Sequence, residues 1–196
     1  MQHPYDHDKS DRKKRKEELR ERKRERIQED LSLYGSDILN SDEMRHAFEQ
    51  KHHTLSTVGE HTLRVAETSL KICYALRRLH IATDIPAVVA GSLCHDLGIL
   101  GRDEKYDSMK ECSMQHPADS VEVAQKLVGE LPEKATDIIT RHMWPVGRSK
   151  PPNSLEAAIV SAADKIAAVE DFVEGYEEKN PGIRGVVREL TNRKKE

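Results

Sequence analysis

The sequence predicts an all-α protein, and three observations predict it. Apolar residues recur at three- and four-residue steps through the middle of the chain, strand-like alternation is absent, and Ser, Asp or Pro stand where helices would start. In order, Leu31 to Asn40 carries Leu31, Leu33, Tyr34, Ile38 and Leu39 and is the first segment expected to dock. Ser41-Asp42-Glu43 then marks a helix start, with Met44, Ala47 and Phe48 on one stripe. Val58, His61, Val65, Ser69, Ile72 and Leu76 give a long amphipathic helix. The next helix begins near Asp84, with Pro86 in its first turn where a missing N–H costs little, and is broken near Gly98.

A polar stretch from Gly101 to Cys112 reads as a loop leading to His116-Pro117, which is expected to open a helix through Val121, Ala124 and Leu127. Leu131-Pro132-Glu133 starts another, carrying Ile138 and Ile139 up to His142. After the Pro- and Gly-rich run MWPVGRSKPPN, a last helix holds Leu155, Ala158, Ile159, Ala162, Ala163, Ile166 and Val169. Val186-Val187 is the one apolar patch of the polar end. The pattern divides into a charged arm (1–30), a helical domain (31–173) and a polar tail (174–196).

The composition, 34% charged and 4% aromatic, would be marginal for a globular chain if spread evenly, but the charge collects at the two ends. A core of about 130 residues can bury roughly two-thirds of its unfolded surface. Cys73, Cys94 and Cys112 are odd in number and lack CxxC spacing, which argues against a disulfide framework and for a reducing, cytoplasmic setting. No apolar run approaches a membrane span. From Lys9 to Arg26, eleven Lys/Arg face five Asp/Glu, a balance of +6. The plainer reading is a solvated helix or a disordered arm, because interleaved Glu dilutes the field and no aromatic is there to stack on bases. The other is a weak anchor for RNA, DNA or anionic lipid.

The histidines carry the chemistry. His61 lies on the apolar stripe of its helix, His95-Asp96 ends a helix of Ala, Val and Leu, and Asp164 stands among Ile159, Val160, Ala163 and Ala167. A buried, unpaired carboxylate costs several kcal/mol, so an Asp there needs a cation or hydrogen-bond donors. Two such carboxylates with His116 and His142 at helix ends converge on metal, and imidazole with carboxylate suits Mn, Fe, Zn, Mg or Ni. Neighbouring residues point ~100° apart in a regular helix. His95 and Asp96 therefore reach one ion only where the backbone adjusts, as Gly98 would permit. Asp96, with two oxygens, could bridge two ions. His3, His7, His46, His52 and His80 read as surface residues, and Trp144 as a packing anchor.

The order His61, His95-Asp96, His116, His142, Asp164 resembles the HD-domain superfamily of metal-dependent phosphohydrolases over about residues 44–173. The contexts EHTLRVAE, LCHDLG, HPADSVEVA, IITRHMWP and SAADKIAA carry the likeness, and the RHMWP segment is similar to small bacterial members. The resemblance implies that His61, His95, Asp96 and Asp164 bind a first divalent metal and that His116 and His142 add a second. Together they would activate water against a phosphomonoester or phosphodiester, including nucleotides. Asp96, Lys165 and His53 are then the catalytic candidates, with Arg141, Arg148 and Lys150 as substrate cations. Ile99 stands where cyclic-dinucleotide phosphodiesterases of this superfamily carry Lys, and Gly175-Tyr176 is followed by Glu177 rather than Pro, which points away from that substrate. Two other readings use the same residues: a di-iron oxygenase of this fold, and a non-catalytic metal-dependent binding module.

Overall fold

The computed structural model describes residues 4–52, 56–146 and 149–179. Among them are eight α-helices: α1 Pro4–Leu39, α2 Asp42–Glu49, α3 Val58–Arg77, α4 Ile85–Cys94, α5 Arg102–Lys105, α6 Met109–Val128, α7 Glu133–Arg141 and α8 Leu155–Lys179. A 3₁₀ turn, Leu97–Ile99, follows α4, and an isolated antiparallel bridge, Lys51 to Thr57, closes the loop before α3. The fold is all-α.

The short helix α4 is the hub because it is apolar on every side: Ala87, Val88, Val89, Leu93 and Cys94 are all buried. Such a helix is stable only if wrapped, and α1, α3, α7 and α8 pack around it. Asp84 caps its first turn by accepting from the Ala87 N–H at 3.1 Å, with Pro86 just inside. Gly91 lets α7 approach, since a methyl group there would sit 2.6 Å from Ile138. The α3 start is fixed by a reciprocal capping box between Thr57 and Glu60.

Four expectations change. The arm and the domain share one helix, so the division at residue 30 falls inside α1, where Ile27, Leu31 and Ile38 form a single buried stripe. His116-Pro117 does not open a helix. α6 starts at Met109, where Ser108 accepts from the Glu111 N–H at 3.1 Å, and Pro117 sits inside it. The tail boundary at 173 falls within α8, which continues to Lys179 because Asp171 is buried against α3. Trp144 is 41% exposed, so it is not a buried anchor. Val186-Val187 lies outside the described residues.

All three cysteines are free and buried. Among the described residues no helix is long and apolar enough to cross a membrane.

Candidate metal centre

Five elements deliver polar side chains to one buried point. His61 comes from the first turn of α3, His95 and Asp96 follow the end of α4, His116 lies inside α6, His142 caps the end of α7, and Asp164 lies on α8. All four imidazoles and Asp96 are buried, beside a core made mostly of aliphatic side chains.

The doublet works through a break in the backbone. His95 keeps helical angles, but Asp96 turns to φ −112°, ψ 4°, which lets both side chains face the pocket. The adjustment is thus made at Asp96 itself rather than by freedom at Gly98. Gly98 is needed for a different reason: a Cβ there would lie 2.4 Å from the His116 carbonyl oxygen, and its N–H donates to Ser120 Oγ at 2.8 Å. The glycine lets α6 come close enough to bring His116 in.

Asp96 sits between two groups of donors. Its Oδ2 is 3.3 Å from His95 Nε2 and 4.0 Å from His61 Nε2, and Asp164 Oδ1 lies 3.0 Å from His61 Nε2 and 3.8 Å from His95 Nε2. Its Oδ1 faces the other way, 3.3 Å from His116 Nε2 and 3.4 Å from His142 Nε2. Ligand atoms around a first-row ion at ~2.1 Å stand roughly 3–3.5 Å apart. Most of these spacings fall in that range and the 3.8 and 4.0 Å ones lie a little beyond it, so the groups could hold an ion.

The tautomers agree. Each Nδ1 faces an acceptor: His95 donates to Ser92 O at 2.7 Å, His116 to Cys112 O at 2.8 Å, His142 to Ile139 O at 2.7 Å and His61 to Asp171 Oδ2 at 2.9 Å. For His95, His116 and His142 the nitrogen that donates outward leaves Nε2 as a lone pair pointing in, the usual state of a metal-binding histidine. His61 also bonds Asp164 through Nε2 at 3.0 Å and would give up that proton to a metal. His95 Nε2 is buried with no hydrogen-bond partner. His116 Nε2 and His142 Nε2 lie 3.0 Å apart, and with both hydrogens already committed at Nδ1 they offer two lone pairs that a cation would reconcile. The donor set fits one or two divalent metal ions.

Electrostatics lean the same way. Burial disfavours charge on Asp96, yet the imidazoles of His95, His116 and His142 outweigh it and hold the carboxyl well below its ordinary range. Asp164 is also lowered against the cost of burial, chiefly by its hydrogen bond from His61. Burial opposes charge on His61 as well, but its bonds to Asp164 and Asp171 and the charge of Asp96 prevail and raise it to about 10. These carboxylates favour positive charge at that point. His142 is pushed down by burial, only partly offset by Asp96, and stays neutral.

Two residues were missed from sequence. Asp171, two turns beyond Asp164 on α8, fixes His61 and pairs with Arg64 Nη1 at 3.0 Å; its seven-residue offset from Asp164 was the available signal. His52, read as a surface residue, has a side chain only 12% exposed, with Nε2 3.7 Å from Asp96 Oδ2. Its loop is pinned by Arg102, which donates to the carbonyls of Lys51 and His52 at 2.9 and 3.2 Å. His46 and His80 are exposed as expected.

A cleft of about 300 Å³ opens onto Asp96, His116, His142 and Asp164, walled by Ile99, Met109, Met143, Val146 and Ala168. Lys165 lines it, its ammonium 3.0 Å from Asp164 Oδ2 and bonded to the His142 carbonyl. Arg141 does not serve this cleft. Its guanidinium is committed to Asp137 at 2.6 Å and the Pro151 carbonyl at 2.6 Å, because α7 must be tied to the segment before α8. Lys150 lies with Arg141 on an adjoining cleft whose walls include none of the six metal-ligand candidates. His53 and Arg148 lie outside the described residues.

Residues 58–169 match the family model described as the HD domain. No curated protein and no solved structure matches the chain.

Proposed function

The chain belongs to the HD-domain family, and from that premise we propose that it is a phosphohydrolase that uses two divalent metal ions on a small phosphomonoester or phosphodiester, a nucleotide included. The observation that carries this reading is Asp96, whose two oxygens face separate histidine groups, each at 3.3 Å from its nearest imidazole. Metals held there would supply an activated water near neutral pH and screen the phosphate oxygens in an in-line displacement.

The protein's own residues do the rest. His61, His95, Asp96 and Asp164 would hold one ion, and Asp96, His116 and His142 would hold the other. Lys165 meets the phosphate; Arg102, the other side-chain cation lining the cleft, is engaged with the Lys51 and His52 carbonyls. His52, with Nε2 3.7 Å from Asp96 Oδ2, is close enough to donate a proton to the leaving group. The apolar wall of Met109, Met143 and Ala168 excludes water and takes the non-phosphate part of the substrate. A cleft of this volume is at the lower end for small-molecule sites, which favours a compact substrate.

The test is metal analysis of the native protein, then phosphate release over a panel of nucleotides and simple phosphoesters under anaerobic conditions with Mn²⁺ or Mg²⁺. Turnover without O₂, abolished in Asp96→Ala, is the expected result. Two tightly held irons with turnover only in O₂ would replace this reading with the oxygenase built from the same ligands.

A further inference from the structure

Away from the metal centre, the middle of α1 and the last turns of α3 form a second concave surface. It is a groove of about 350 Å³ lined by Arg22, Lys23 and Arg26 from one helix and Lys71, Arg77 and Arg78 from the other. Tyr74 forms its floor, with the Arg26 guanidinium 4.8 Å above the ring. Two carboxylates border it: Asp30 takes the Tyr74 hydroxyl, and Glu67 pairs with Lys71 at 3.3 Å. Among the described residues Arg22, Lys23, Arg77 and Arg78 make no ion pair.

The helical conformation changes how the arm's charge reads. At ~100° per residue, Arg12, Arg15, Lys16, Arg22, Lys23 and Arg26 all fall within about 60° of one line along α1, whereas Glu17, Glu18, Glu21 and Glu25 lie about 100° or more from it. The interleaved glutamates therefore do not dilute the field on this face. The line leads directly into the groove and spans about 21 Å at 1.5 Å per residue, a length over which a duplex carries about twelve phosphates.

We propose that this stripe and groove bind double-stranded nucleic acid, RNA or DNA, through its phosphates and without regard to sequence. A lipid surface fits less well, because Leu19 is the one large apolar side chain between Asp11 and Arg26 and α1 has no face to insert. Single strands fit less well too, because the Tyr74 ring is already covered by Arg26 and offers no stacking platform.

Fluorescence anisotropy of the full chain with a labelled 24-base-pair duplex, read across a salt series, tests this. Arg22→Glu/Lys23→Glu should weaken binding at least tenfold and lower the slope of log K against log salt by about 2. Lys14→Glu/Arg24→Glu changes net charge equally about 140° away from that line on the same helix and should cost threefold or less. Should the first variant misfold, Arg77→Gln/Arg78→Gln on the other wall gives the same comparison, with circular dichroism and metal content as controls. Equal losses in stripe and opposite-face variants, or binding to phosphatidylserine vesicles and not to duplex, would overturn the proposal.

Discussion

The two sides of Asp96 are built differently. Toward Oδ2 stand three further donors from three elements, His61, His95 and Asp164, backed by Asp171 and Arg64. Toward Oδ1, among the described residues, stand His116 and His142, each held by a carbonyl of its own helical turn, and both line the open cleft, as Asp164 and His52 also do. On the proposed reading the Oδ2 side is the fuller donor set with a charged outer layer, and the Oδ1 side would keep more positions for water and substrate. Open positions are what distinguish catalytic from structural metal sites. On the proposed two-metal reading, tight binding would fall to the fuller half and chemistry to the other, with one carboxylate joining them.

The largest effect is expected at that joint: Asp96→Ala should lose both metals and all turnover, read by metal content after gel filtration. Next, His95→Ala should empty the fuller half and abolish activity. His142→Ala should instead leave one tight ion per chain, and this difference is what the asymmetry requires. A smaller effect is expected from Asp171→Asn, which keeps the shape but releases the His61 ring from a charged acceptor. Changes at such outer partners typically cost about 10–100-fold in metal affinity, and the loss should fall on the first ion alone.

The smallest effect lies outside both halves. The Glu156 carboxylate caps the N–H of Asp84 and pairs with Lys134 at 2.9 Å, and these contacts lower its pKa against the cost of burial. A depressed carboxylate stabilises the fold above the unfolded-state pKa, and the contribution vanishes as pH falls through the folded one. Glu156→Gln should therefore lower the melting temperature at pH 7 and leave it nearly unchanged near pH 3, with metal content unaltered throughout.

Much of this was legible in the sequence because it rests on local chemistry. Ser41, Asp84 and Pro132 mark helix starts by satisfying or lacking backbone N–H groups, and all three mark them in the structure. The six metal-ligand candidates stood out because polar residues on apolar faces require a reason, and the fold brings all six together. What escaped has physical causes. Pro117 reads as a helix opener, and that signal hid the Ser108 cap about two and a half turns earlier. Asp171 stands at the end of the predicted helical domain, marked only by its seven-residue offset from Asp164, and its partner His61 is 110 residues away. His52 lies in a loop, where exposure is the ordinary expectation until Arg102 is seen pinning that loop down.

One measurement tests the central claim, that Asp96 joins two unequal metal sites. Metal-free protein titrated with Mn²⁺ by calorimetry should take up two ions per chain with distinct affinities, His142→Ala should take up one, and Asp96→Ala none. Two ions bound by Asp96→Ala at unchanged affinity would contradict it.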